Sequence, residues 1–457
     1  MYYTITMSRP RAILTAALVT LVAGLFVSMG VGCESAFDRH RDDLVFAHDR
    51  GDFVSASRLL DEANDKGLYS RRSRVLWLLE RGAAAAAQGD TDKAIAMLNE
   101  AERQTELFNE QSISDIAGQW LLSERASTYI TRAYEEQYIN VIKMLAHFDA
   151  RTIENGPTVE ARRMALKANQ MRDRFEELLD ELHDRGGEAQ VSFARSGQFI
   201  ESPLGVYLSA VAFIEADEAD MASTAMRRLS SAAKAQAGLG ITQDVSYVDS
   251  LLSYDSRKQD AIFVAVGGVG PTLARQKVGP IFVYLTPIYF ELPQIVRGGS
   301  GAHSAVAEIE YADGTTGAIE LAFIEDFSAV AEANFESELP LVHARTYLRA
   351  MTKSGLFTAG GVVLQNSDAD PAVKAAGLLV SIIGGLLYLS ATEKADTRCW
   401  TMLPGAAWAA VTDLPEGTHR ARVVFLGEGG QRMYEGQWSE VRGGSIGLDS
   451  IVEYWPG

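Results

Sequence analysis

The chain has 457 residues, 47% hydrophobic and 22% charged, which excludes a disordered or fibrous protein and leaves room for two or three domains. A formal net charge of -18 repels nucleic-acid phosphates and anionic headgroups and favours neutral or basic partners. Cys33 and Cys399 are the two cysteines, so if the first carries a lipid no intramolecular disulfide is possible and packing must supply the stability.

The first element is a targeting segment. Arg9 and Arg11 form a positive flank, and Ala12 to Gly32 then run without a charge for about 21 residues. Small Gly32 precedes Cys33. This order is similar to a bacterial lipoprotein signal, in which the chain is cut before a cysteine whose thiol is lipidated, although Gly30 stands where such signals usually carry Leu. Lipidation at Cys33 is the expectation, and an uncleaved single-pass anchor is the alternative. Either would hold the remaining chain at a membrane, facing an extracytoplasmic compartment.

An internal echo follows. "GDFVSASRLLDEA" begins at Gly51 and "GDTDKAIAMLNEA" at Gly89, a period of about 38 residues. Each has a Gly-Asp pair and then a small residue, a Leu and an Ala on one helical face: Ala56, Leu60 and Ala63, then Ala94, Leu98 and Ala101. Small residues let a neighbouring helix approach, while Gly-Asp turns the chain between antiparallel helices. The pattern resembles tetratricopeptide repeats, and Gly82 falls where such a repeat carries a small residue on its first helix. Helical spacing continues to about residue 236, with Pro203 at a helix start. A tetratricopeptide-like solenoid of three or four helix pairs is expected over residues 38–240. Trp77, Arg81 and Tyr134, on the first helices of pairs, are the candidate partner-binding residues of its groove.

Near residue 255 the character changes. "AIFVAVGGVGP", "GPIFVYLTPIYFEL" and "SAVAEIEYADGTTGAIELAFI" read as strands and turns, as does "WAAVTDLPEGTHRARVVFLG". A β-sandwich-like domain or open sheet is expected over residues 255–457, with a helical insertion at about 340–395. Within the insertion the apolar run Ala375–Ala391 reads as a helix buried under the sheet, the alternative being a second membrane span.

Three passages, "LWLLERGAAAAAQGDTDKAIAMLNEAE", "SPLGVYLSAVAF" and "TEKADTRCWTMLP", resemble an uncharacterised family of bacterial lipoproteins with tetratricopeptide-like helices and a C-terminal β-rich domain. The similar order of segments extends over most of the chain. The resemblance implies this architecture and an envelope address. Relatives are often encoded beside lipoproteins that activate penicillin-binding proteins, which implies work in cell-envelope assembly and specifies no chemistry.

Strings that suggest catalysis lack their context. "GGSIG", Gly443 to Gly447, matches a nucleophile elbow around Ser445, but the last histidine, His419, lies upstream. "VGGVGP" at Val266–Pro271 lacks the Lys of a phosphate loop. His40 and His48 lie near Asp42, Asp43 and Asp49, for which a solvated first helix is the expectation rather than a metal site. In "ADTRCWTMLP", Asp396, Thr397, Arg398 and Trp400 are expected to lock a helix-to-strand junction, with Cys399 a small buried hydrophobe.

The expectation is thus an α+β multidomain, envelope-anchored lipoprotein that acts as a non-enzymatic scaffold, binding protein partners without a metal, a cofactor or nucleic acid. One rival is an enzyme on an envelope polymer with Glu325 and Asp326 as acid and base, although neighbours on a strand point to opposite faces. The other is a structural subunit of a membrane complex that uses the apolar run as a contact.

Overall fold

A computed structural model describes residues 36–109, 128–151, 156–184, 199–241, 247–248, 260–283, 286–339, 395–444 and 447–455. The targeting segment with Cys33, the insertion over 340–394 with Ala375–Ala391, and Ser445 lie outside the described residues. Met1–Asp43 and Leu44–Gly457 are separate compact units, so from Leu44 onward helices and strands share one body.

The helices are α1 (Ala36–Asp49), α2 (Phe53–Asp65), α3 (Arg74–Ala86), α4 (Thr91–Asn109), α5 (Ala133–Asp149), α6 (Gly156–Asp184), α7 (Pro203–Glu215) and α8 (Ala219–Ala237). One turn is used twice between them. Gly51 and Gly89 take φ of 63° and 72°, a left-handed conformation that glycine adopts without strain. The following aspartates then cap the next helix: Asp52 accepts from the Ser55 N–H at 2.9 Å and Asp90 from the Lys93 N–H at 3.3 Å. Ala56, Leu60, Ala63, Ala94, Leu98 and Ala101 are all buried. A Cβ on Gly82 would lie 2.7 Å from Leu98 Cγ, so α3 and α4 approach closely because that atom is missing. Helix α7 is buried from Pro203 to Ile214, which explains why it carries no polar face.

The strands are β1 (Ala261–Gly267), β2 (Thr272–Val283), β3 (Thr286–Val296), β4 (Ser304–Glu310), β5 (Thr316–Asp326), β6 (Ala406–Thr412), β7 (Gly417–Leu426), β8 (Arg432–Glu435), β9 (Ser439–Gly443) and β10 (Asp449–Tyr454). A helix over 327–339, called α9, follows β5, and Asp326 caps it by accepting from the Ala329 N–H at 2.9 Å. The chain is therefore α+β, with helices in its first half and a curled mixed sheet in its second.

The eight-stranded sheet runs β10-β1-β6-β5-β4-β7-β8, with β9 also paired to β7, while β2 and β3 form a separate two-stranded ribbon. Strands β1 and β10 are parallel, and β1 is buried at every residue, as a strand covered on both faces must be. The sheet curls until its edges meet: Tyr434 Oη donates to Glu453 Oε1 at 2.9 Å, and the Arg442 N–H to Asp449 Oδ2 at 2.7 Å. Phe263, Trp408, Phe425 and Trp455 fill the interior, with the Trp408 and Phe425 rings edge to face at 6.1 Å.

A bulge between Phe323 and Glu325 fixes how the sheet meets the helices. Phe323 packs towards the sheet interior, and strict alternation would point Glu325 the same way. The extra residue instead turns Glu325 to the helices, where it accepts from Tyr138 Oη at 2.6 Å, the Leu204 N–H at 2.9 Å and the Ser202 hydroxyl. Ser202 is the N-cap of α7, so a sheet carboxylate completes the start of a helix far away in sequence.

Candidate functional site

Helix α5 runs through the middle of the helical layer, and "YINVIKMLAHF" places Asn140 and Lys143 among its apolar residues. Both are buried. The Lys143 ammonium is held by Glu102 Oε2 at 2.6 Å, Glu160 Oε2 at 2.6 Å and Asn99 Oδ1 at 3.0 Å. Lys167 also pairs with Glu102, and Arg163 reaches Glu102 at 3.0 Å and Glu160 at 3.5 Å. Asn140 Nδ2 donates to both glutamates, at 3.0 Å and 2.7 Å. Burial opposes ionisation of Glu102, yet its lysine partners prevail and hold it down at about 2. This network joins α4, α5 and α6 through charges that satisfy one another.

One helical turn beyond Lys143 the layer opens. Gly89, Asp90, Thr91, Asp92 and Ile95, from the α3–α4 turn and the start of α4, face His147, Asp149 and Ala150 at the end of α5, with Gly156 at the start of α6. The cleft has a volume of about 590 Å³. Thr91 Oγ1 donates to the Ala146 carbonyl at 3.3 Å and ties its two walls together. A Cβ on Gly156 would lie 2.3 Å from His147 Nδ1, so the imidazole lies directly against the helix backbone. Burial lowers the His147 pKa, with Glu160 opposing, and keeps the ring neutral at pH 7. Burial raises the Asp149 pKa, with Arg151 opposing. Asp90, Asp92 and Asp149 make the cleft an acidic opening beside a neutral ring.

The segment of "ADTRCWTMLP" from Ala395 to Leu403 is an irregular strap, with a turn at Thr401 and Met402, that bonds to helices and sheet. Arg398 grips Asp396, with Nη2 to Oδ2 at 2.6 Å, and donates from Nη1 to Ser73 Oγ at 2.9 Å. Thr397 and Trp400 are buried. The Trp400 N–H donates to Glu135 Oε1 at 2.7 Å. The Thr401 and Met402 N–H groups donate to the two oxygens of Glu80, each at 2.8 Å. Burial pushes the Glu80 carboxyl up to about 8 against those two donors, and burial likewise raises Glu135. Cys399 is buried as a free thiol.

Other residues singled out from the sequence differ from expectation. Trp77, Arg81 and Tyr134, expected to line a groove, are 7%, 6% and 0% exposed. Trp77 Nε1 donates to the Leu60 carbonyl at 3.2 Å, and Arg81 grips Asp61 at 2.9 Å and 3.1 Å while reaching Ser57 Oγ at 2.8 Å. These side chains hold helices together and present no face to a partner, because the apolar stripe of each first helix faces its neighbours. The first helix is not fully solvated either: Leu44, Ala47 and His48 are buried, and burial lowers His48 to about 4. Glu325 is enclosed among Tyr138, Ser202 and Leu204, and burial raises it to about 7. Among the described residues no group of metal-ligating side chains is large enough to hold an ion, and no helix is long and apolar enough to cross a membrane. The cleft was not foreseen, although the lone Lys143 and Asn140 in an apolar helix were a readable signal of the network behind it.

No protein-family model, curated protein or solved structure matches the chain.

Proposed function

We propose that this chain is an envelope-anchored, extracytoplasmic binding protein, without enzymatic activity of its own, whose helical half receives a basic segment of a protein partner at the cleft between α4 and α5. The cleft itself carries this reading: an opening of about 590 Å³ whose walls bear Asp90, Asp92 and Asp149. The net charge of -18 favours the same kind of partner over a long range. The buried ion network behind the cleft holds three helices in register and so preorganises its walls.

The two Gly-Asp turns and the close approach at Gly82 favour reading the helix pairs as tetratricopeptide-like. The curl of the sheet over one core is what favours the sandwich-like reading of the second half. The membrane address rests on Arg9, Arg11 and the uncharged run before Cys33. Crosslinking from membranes tests the cleft. A photo-crosslinking residue at Asp92 should capture a partner, and Asp92→Lys combined with Asp149→Lys, which leaves the Asp90 cap in place, should reduce its recovery at least tenfold while the helical signal stays unchanged. Equal recovery from that variant would move the binding surface elsewhere.

A further inference from the structure

Strand β5 changes neighbours halfway along. Its second half pairs with β6, but that register ends at the Ala322–Ala409 pair, and among the described residues the first half pairs with β4 alone. The β4–β5 turn fixes which backbone groups are left over. The Tyr311 N–H donates to the Thr315 carbonyl at 2.8 Å, and the N–H of Gly314, at a φ of 83°, donates to the Tyr311 carbonyl at 2.9 Å. Antiparallel pairs alternate from there, so Gly317, Ile319 and Leu321 exchange bonds with β4, while Thr316, Ala318 and Glu320 turn their N–H and C=O groups to the outer edge. The side chains of those three are exposed. On the inner face Ile309 and Leu321 are buried, whereas Ile319 and Ala410, on either side of the place where β5 and β6 part, are only partly covered. Thr316–Leu321 carries none of the devices that blunt an edge, having no proline, no lysine and no bulge against β4.

We propose that this edge receives an extended basic segment of a protein partner, added as a strand beside β5. Backbone bonds to Thr316, Ala318 and Glu320 supply the attraction, and alternate side chains supply the selection. Those on the inner side meet Ile319 and Ala410 and are therefore apolar. Those on the outer side stand beside the exposed Glu320, on a chain of net charge -18, and therefore include Lys or Arg. A second copy is disfavoured, because two chains of charge -18 repel one another. A pairing along Thr316–Glu320, about 17 Å long at ~3.4 Å per residue, is also far smaller than the roughly 1,200 Å² that a stable pair of folded chains buries, and suits a short, reversible peptide contact. The surface is separate from the cleft, which no residue of β5 lines.

The experiment measures amide hydrogen exchange in the full chain, residue by residue, with and without a short synthetic peptide that alternates Val and Lys. In the free chain the Ala318 and Glu320 amides should exchange faster than those of Gly317 and Ile319. The peptide should slow them at least tenfold, and a peptide alternating Val and Glu should not. Ala318→Pro, which removes an N–H from the outer edge only, should abolish the protection at Glu320 without moving the melting midpoint. Glu320→Lys, which leaves the backbone intact, should weaken peptide binding at least tenfold even if the proline variant does not fold. The Asp92→Lys, Asp149→Lys chain should bind the peptide at this edge as the parent does, so the edge and the cleft stand or fall separately. Ala318 and Glu320 amides already slow in the free monomer would mean that the chain covers its own edge and would overturn the proposal. Protection that grows with protein concentration in the absence of peptide would assign the edge to a second copy and overturn it too. Peptide binding that survives Glu320→Lys with no protection at Ala318 or Glu320 would place the site elsewhere.

Discussion

Lys143 is the residue on which the helical layer is most exposed to a single change. Its ammonium is wholly enclosed and lies 2.6 Å from carboxylate oxygens of both Glu102 and Glu160. Lys143→Met would fill similar space but leave two buried carboxylates short of a cation, with Lys167 and Arg163 remaining on one side only. Removing one member of such a group costs about 3 to 5 kcal/mol, and chemical denaturation should show a loss of that size. Adding Glu102→Gln and Glu160→Gln to the same chain should recover part of it, because most of the cost belongs to the stranded charges. A Lys143→Met protein as stable as the parent would mean that water already reaches the pair.

At the scale of elements, the strap and the two Gly-Asp turns mark what was legible in the sequence and what was not. The turns were readable because their code is local: a glycine with positive φ, an aspartate cap and a small-residue face all lie within a few residues of one another. The direction of the first-helix side chains was misread, since Trp77 and Arg81 are amphipathic residues whose polar atoms found partners inside the layer. The strap had visible composition and invisible partners, for Thr401 and Met402 meet Glu80 more than 300 residues earlier, at separations of 321 and 322. Glu80→Gln should show how much that contact contributes. An amide would set its own N–H against a backbone N–H, at a cost of about 1 to 3 kcal/mol, and should leave the helical content unchanged. Thermal unfolding of the variant is the measurement, and an unchanged midpoint would mean that the strap is held by packing alone.

For the whole molecule, buried carboxyls set the response to pH. Burial raises Glu80 to about 8 and Glu325 and Glu453 to about 7 in the folded chain. Each binds its proton more tightly folded than unfolded, so its contribution is complete below the ordinary carboxyl pKa and is lost as pH rises towards 7 or 8. His48, lowered to about 4, acts in the opposite sense and gains stability for the fold between pH 4 and its ordinary 6.5. Glu102, held at about 2, loses its contribution as pH falls from the ordinary carboxyl value. Glu135 and Asp149, which burial also raises, act in the same sense as Glu80, Glu325 and Glu453, whereas His147, lowered by burial, acts with His48. With five contributions falling against two rising, stability should be greatest near pH 5 and lower at pH 8. Urea midpoints at pH 5, 6.5 and 8 give the check, and a midpoint that rises steadily to pH 8 would contradict it. The strap adds a constraint on synthesis. Glu80 and Glu135 emerge from the ribosome early, while the backbone donors that occupy them emerge at Trp400, Thr401 and Met402. The helical half therefore cannot complete its interior until the segment around residues 400–402 has been made. A fragment ending at residue 240 should remain loosely packed, with helical circular dichroism but no cooperative melting, and a sharp transition in that fragment would show that the helices do not wait for the strap.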